Sequence, residues 1–334
     1  MVGDADRRIS YRGILHCRFR SCNHWRVLTS GSERVMNAVI MTRGLTKRFK
    51  DHTAVDSLDL MVPQGVVYGF LGPNGSGKST TMKMLLGLTQ PTAGDIDIFG
   101  RPLTPASRGD LLPSIGSMIE APPGYGHLTG WENMLIVRDM LDLVDRQIEQ
   151  ALATVRLTEQ KDKLVRNYSL GMKQRLGIAM ALARDPSLLI LDEPTNGLDP
   201  AGIEEIRTLL IELANRGITV MVSSHLLDEI DKMATVLGIL SSGRLIFQGT
   251  RQELFEHSLP DLVIETSRPE QARSLISGAS ITPGGITVSG LDKEQTAVAV
   301  NRLAAANVPI YEVRRVQQSL EDVFMDLTGR GGLL

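Results

Sequence analysis

Residues 72–80 read GPNGSGKST, and they stand between an apolar run, VVYGFL, and a stretch of helical pattern, TTMKMLLGL. This G-x-x-x-x-G-K-[ST] spacing, entered from a strand and left through a helix, restricts the chain to folds in which a strand end meets a helix N-terminus. It also carries chemistry. Glycines let backbone N–H groups wrap a β-phosphate, and the helix start adds a partial positive charge. Lys78 is then placed to reach the β- and γ-phosphates, and the Ser79 hydroxyl to bind Mg2+. The bland alternative is a glycine-rich turn, and the flanking strand and helix argue against it.

From about 38 to 250, short apolar runs alternate with helical stretches: SLLIL with IEEIRTLLIEL, ITVMVSS with LLDEIDKMA, then VLGIL and RLIFQG. That alternation predicts an α/β sheet with mostly parallel strands. Between about 115 and 185 helical patterns take over, opening with Thr129-Gly130-Trp131-Glu132, a capping-box spacing, so this stretch reads as a helical insert. Beyond about 260, DLVIET, ARSLIS, PGG, ITVSG, EQTAVAVNRLAAA and PIYEVRRV read as a small α+β accessory domain, 260–330, with no motif that carries chemistry.

Composition bounds the rest. A chain of 334 residues, 42% hydrophobic and 22% charged, is long enough for about two domains with real cores. A net charge of −2 supplies no global basic field for nucleic acid. No apolar run approaches the roughly 18 residues of a membrane helix, so a membrane role requires a partner. The first 35 residues differ from the remainder, with seven arginines against Asp4, Asp6 and Glu33 and both cysteines of the chain. There His16, Cys17, Cys22 and His24 invite a zinc reading, but their spacing is too tight for usual sites. The segment reads instead as a disordered extension, or as translated sequence upstream of a start at Met36 or Met41. With no cysteine beyond it, a reducing cytoplasm is the simplest compartment.

Three further segments carry candidate chemistry. In Ser187-Leu-Leu-Ile-Leu-Asp192-Glu193-Pro194, a strand apolar on both faces ends in adjacent carboxylates. Asp192 can hold Mg2+ through its water shell and Glu193 can polarise an attacking water as general base; alone, the same pair is a strand ending at the surface. In Asn167-Tyr-Ser169-Leu-Gly171-Met, a Ser and a Gly open a helix rich in small residues, either as a plain N-cap or as a hydroxyl and free N–H groups facing an anion. In GSMIEAPPGYG, Glu120 stands among apolar residues and prolines, either a solvated loop carboxylate or a polar reader in a nucleotide enzyme.

Taken in order, these motifs resemble those of an ATP-binding-cassette (ABC) ATPase, a P-loop NTPase that serves as the nucleotide-binding subunit of a transporter, over roughly residues 38–250. The Walker A segment is GPNGSGKST (Gly72, Pro73, Asn74, Gly75, Ser76, Gly77, Lys78, Ser79, Thr80), and the signature is YSLGM with Ser169 and Gly171. The Walker B is LLILDEP, the D-loop NGLDP with Asp199, and the switch histidine His225. The resemblance implies ATP and Mg2+ as cofactors, Lys78, Glu193 and His225 in catalysis, and Phe49 in LTKRF beneath the adenine. Taken singly, His225 reads as a surface or cap residue and Phe49 as core.

The pattern departs from the family's in two places. Where LSGGQ is usual, Leu170 and Met172 replace Gly and Gln, while Ser169 and Gly171 are kept. Glu120 occupies the position of the Q-loop glutamine, so a carboxylate that only accepts replaces an amide that also donates. This Glu, with SLGMKQRLGIA and the C-terminal SLEDVF, is similar to the bacitracin-resistance and lantibiotic-immunity type of exporter ATPase, and more distantly to daunorubicin-type subunits. The family shares each ATP between two cassettes, so one copy of each motif implies a homodimer or a paired ABC ATPase. It further implies separate transmembrane permease subunits and a peripheral place on the inner face of the cell membrane. A non-transport ABC protein acting on ribosomes or DNA usually carries two cassettes or a long coiled coil, whereas here about 90 residues separate Lys78 from Ser169. An importer ATPase is the other alternative, and the Glu120 loop and short tail argue against it.

Overall fold

The computed structural model describes residues 24–29, 32–120, 122–256, 260–316 and 319–328. The chain opens with β1 (His24–Thr29), β2 (Ser32–Phe49), β3 (His52–Leu58) and β4 (Met61–Pro63). Then come β5 (Val67–Leu71), α1 (Lys78–Leu85), β6 (Ala93–Ile98) and β7 (Arg101–Pro102). The middle runs α2 (Arg108–Leu111), β8 (Ile115–Met118), α3 (Gly130–Leu141), α4 (Asp145–Thr154), α5 (Leu170–Leu182), β9 (Leu188–Asp192), α6 (Pro200–Asn215) and β10 (Thr219–Ser224). It continues through α7 (Leu227–Asp231), β11 (Val236–Ser241), β12 (Arg244–Thr250) and α8 (Arg251–Glu256). The last part is β13 (Asp261–Glu265), α9 (Pro269–Leu275), β14 (Ala279–Thr282), β15 (Gly285–Val288), α10 (Lys293–Ala305), β16 (Glu312–Val316) and α11 (Leu320–Thr328).

The central sheet has the order β12-β11-β5-β10-β9-β8, parallel throughout except for β12 at one edge. Its strands are apolar on both faces because both faces are covered, and their period of two divides the core in two. Val67, Leu189, Leu191, Val220 and Val222 join the helical side with α5 and α6. Tyr68, Phe70, Leu188, Ile190 and Met221 join the opposite side, with α1 and the antiparallel sheet built on β2. The sheet so formed brings the C-terminal ends of β5, β9 and β10 side by side, where a ligand of an open α/β sheet binds.

Three expectations need revision. The stretch 115–185, read as helical, contains the strand β8, whose four residues IGSM give no apolar run long enough to recognise. It is identifiable only from its neighbour: a Cβ on Gly116 would lie 2.2 Å from the Ala181 carbonyl oxygen, so α5 packs directly on the strand backbone. The first 35 residues, read as an extension, include β1, which pairs antiparallel with the start of β2; the candidate zinc ligands His16, Cys17 and Cys22 lie outside the described residues, as does the side chain of His24.

The third concerns the C-terminal end. Residues 261–316 hold an antiparallel sheet of order β14-β15-β13-β16 with its own core, in which Leu262, Ile264, Ile286 and Val288 meet Ala272 and Leu303 of α9 and α10. Helix α11, read as part of that unit, instead buries Leu320, Val323 and Phe324 in the helical-side core of the α/β body. Its start is a capping box: Ser319 N donates to Asp322 Oδ2 at 2.9 Å and Asp322 N to Ser319 Oγ at 3.1 Å. The SLEDVF string is therefore a helix start followed by apolar anchors, each buried side chain worth about 1.5–3 kcal/mol.

Candidate nucleotide site

Every residue of β5 is buried, and the chain leaves it through Gly72. A Cβ on Gly72 would lie 2.4 Å from the Leu240 carbonyl oxygen, and one on Gly77 2.4 Å from that of Ala54, so both positions are pressed against backbone. Gly77 also stands at φ 104° as the N-cap of α1, a conformation that favours glycine. Gly243 N donates to Ser76 O at 3.0 Å, which ties the loop to the β11–β12 turn. No side chain caps α1, so its first N–H groups are free to face an anion. Asn74 and Gly75 form the exposed rim of the loop, while Pro73 before them and Ser79 and Thr80 in the first turn of α1 lie half-buried. Ser76 Oγ is buried without a hydrogen-bond partner among the described residues.

Lys78 is buried at 6% exposure, and its Nζ donates to Gly72 O at 2.7 Å and Pro73 O at 3.3 Å. Burial holds its ammonium below the usual lysine pKa, opposed by the charges of Glu193 and Asp192. Glu193 follows the buried strand β9 with φ 50°, a left-handed backbone that turns its side chain out of the strand line. There Oε1 lies 3.8 Å from Lys78 Nζ and Oε2 lies 2.7 Å from His225 Nδ1. A carboxylate only accepts, so the contact requires a proton on Nδ1, and Nε2 lies on the opposite edge of the ring. Lys78, Glu193 and His225, far apart in sequence, thus converge at the ends of three neighbouring strands.

Asp192 ends β9 at 4% exposure, and Ser223 of β10, paired with it in register, donates from Oγ to its Oδ1 at 2.5 Å. The same hydroxyl accepts from Glu193 N at 2.9 Å. Ser223 belongs to no sequence motif, and its one signal is its place two residues before His225 on a fully buried strand. Asp192 keeps Oδ2 for a second partner, and the Ser79 hydroxyl supplies another hard oxygen. Among the described residues no three His, Cys, Asp or Glu group as a metal site, so a cation here would complete its shell with phosphate and water oxygens, as Mg2+ does.

The remaining candidates have partners other than Lys78, Glu193 and His225. Glu120 is exposed at φ 69°, and Lys83 of α1 donates to its Oε1 at 2.6 Å; that bond and charge hold its carboxyl below the usual carboxylate range. Its loop rests on α5, where a Cβ on Gly177 would meet Pro123 Cδ at 3.0 Å. Phe49 ends β2 at 49% exposure with Lys47 Nζ 4.9 Å from its ring centroid, a surface aromatic in place of a core one. Ser169 caps α5 by accepting from Met172 N at 3.2 Å, and Gly171 follows it in the first turn. Asp199 caps α6 by accepting from Gly202 N at 3.1 Å. Among the described residues no hydrogen bond or ion pair joins Ser169, Gly171 or Asp199 to the Lys78 loop.

Residues 55–196 match the family described as ABC transporter. Over 306 residues the chain is 39% identical to the bacitracin transport ATP-binding protein BcrA of Enterococcus faecalis, a match spanning 90% of this chain and 99% of that one. The chain belongs to the ABC transporter family. As an ABC ATPase, it is also 43% identical to the lantibiotic transport ATP-binding protein SrtF of Streptococcus pyogenes, over 63% of this chain and 90% of the relative. Among solved structures, CbiO1 from Clostridium perfringens, part of the ABC transporter complex CbiONQ, matches this ABC cassette with TM-score 0.61 and 29% identity, over 66% of this chain and 91% of that one. ATP binding and hydrolysis are the chemistry of this family, and among the described residues no helix is long and apolar enough to cross a membrane.

Proposed function

We propose that this ABC ATPase energises the export of peptide or drug-like antibiotics through separate permease subunits, while lying peripherally on the cytoplasmic face of the membrane. The end-to-end likeness to a bacitracin transport ATP-binding protein carries this reading, because it extends past the cassette into the accessory unit. The α1 N-terminus and Lys78 bind and orient the phosphates. Ser79 and Asp192 hold Mg2+, which when bound neutralises charge on the phosphate oxygens. Glu193 takes a proton from the attacking water at Oε1 or Oε2, and His225 orients that carboxylate and faces the γ-phosphate. Ser169 and Gly171, with Asp199, serve the ATP of a second copy, so the working unit is a homodimer or a pair of cassettes. Phe49 offers its exposed ring to the adenine. In cells expressing the chain with its membrane subunits, bacitracin and lantibiotic tolerance is expected to rise and to be lost in Glu193→Gln. Recovery of ribosomes in place of a membrane subunit, or uptake in place of export, would overturn the reading.

Glu120 is assigned to coupling the site with the permease. Its exposed ion pair with Lys83 contributes little to stability and so can open and close at small cost. Glu120→Gln is expected to leave ATP affinity unchanged and to alter the transport obtained per ATP hydrolysed. Equal transport at equal hydrolysis, measured in proteoliposomes, would remove the role.

A further inference from the structure

We propose that Ser223 is a positioning residue for the hydrolytic step, setting where both acidic side chains of the site point; this inference rests on the ATPase reading above. A hydroxyl has one proton to donate and two lone pairs. Ser223 spends the proton on Asp192 Oδ1 at 2.5 Å and one lone pair on the Glu193 amide at 2.9 Å. It is fully buried, with 0% exposure, so water does not compete for either bond.

The two bonds act on different parts of the site. The bond to Oδ1 fixes the rotation of the Asp192 carboxylate and leaves Oδ2 as the oxygen free to face a cation. The bond from the Glu193 amide fixes the backbone just where it departs from the strand. β9 ends at Asp192, and beyond it Glu193 adopts φ 50°, a conformation costly for a residue with a Cβ. The hydroxyl stands in for the ladder acceptor that the neighbouring strand would otherwise offer, and it holds the turn. That turn places the Glu193 carboxylate between Lys78 Nζ, 3.8 Å away, and His225 Nδ1, 2.7 Å away. Ser223 and His225 lie on one continuous segment at the end of β10, so a single strand end orients the base from its backbone and from its side chain.

The outer groups that orient metal ligands and catalytic side chains are typically worth about ten- to hundredfold in metal affinity or activity. Ser223→Ala is therefore expected to lower kcat by about ten- to hundredfold while ATP affinity measured in EDTA stays at the wild-type value. Mn2+ binding to the nucleotide complex, read by electron paramagnetic resonance, is expected to weaken alongside. Ser223→Thr, which restores the hydroxyl, should recover most of the rate and of the Mn2+ affinity. A normal kcat and Mn2+ affinity in Ser223→Ala would overturn the proposal, and so would a folded Ser223→Thr, checked by its melting temperature, as slow as the alanine variant. Glu193→Gln measured in parallel separates the two readings. If it still hydrolyses ATP at a normal rate, the assignment of the base fails; if only Ser223→Ala does, the inference alone fails.

Discussion

Glu193→Gln is expected to leave ATP binding intact and to slow phosphate release by about 10²–10⁴-fold, the usual contribution of a positioned general base. The substitution keeps the shape of the side chain, so its amide can still meet His225 across the 2.7 Å contact while losing the capacity to take a proton. The Lys78 side of the site changes less. Its Nζ is held by two loop carbonyls at 2.7 and 3.3 Å, against 3.8 Å to Glu193, so the phosphate loop does not depend on the carboxylate for its geometry. Equilibrium binding of a fluorescent nucleotide should therefore be unchanged when single-turnover hydrolysis has collapsed. A variant that still hydrolysed ATP at a normal rate would move the base elsewhere, and the Asp192 side of the site would be the next place to look.

The parts of this site that are legible in sequence are those whose function needs a fixed spacing along one stretch of chain. The phosphate loop is of that kind, because Gly72, Gly77, Lys78 and Ser79 act as one turn of backbone at a helix start. Asp192 and Glu193 are legible because two carboxylates ending an apolar strand are unusual by themselves. What stays hidden is set by cross-strand register or by surface geometry. Ser223 is an ordinary strand residue until the parallel pairing of β10 with β9 sets it beside Asp192. Lys83 is a helix lysine until the Glu120 loop folds over it. Helix α11 shows the same limit at the level of packing: its amphipathic string reads equally well as part of the accessory unit, and only the burial of Leu320, Val323 and Phe324 assigns it to the cassette core. Its neighbour there is α7, which follows His225 directly, and α7 is also held by the ion pair of Asp231 with Arg251. Helix α11 is thus packed against the helix that follows His225, a relation that neither stretch reveals alone.

Lys78→Ala should separate function from stability at the same site. Losing charge-assisted hydrogen bonds worth about 1.5–3 kcal/mol is expected to weaken ATP binding by at least about ten- to hundredfold, with or without Mg2+. The fold should not suffer in proportion. Burial already holds the Lys78 ammonium below its usual pKa, which means the charged form is less favourable in the folded chain than in the unfolded one. At neutral pH the unfolded chain is thus the better host for this proton, and the resulting penalty on stability is relieved as pH rises through the depressed folded pKa towards the ordinary value of 10.5. Alanine removes that penalty at the cost of leaving Gly72 O and Pro73 O without their donor, carbonyls that water entering the truncated space can reach. The expected result is a variant with a melting temperature close to that of the parent and a shallower rise of stability between neutral and alkaline pH, yet with nucleotide binding weakened by that factor. A large drop in melting temperature at pH 7 would mean instead that the ammonium serves chiefly as a strut for the loop carbonyls, and its phosphate role would then have to be measured in Lys78→Arg, where the charge is kept.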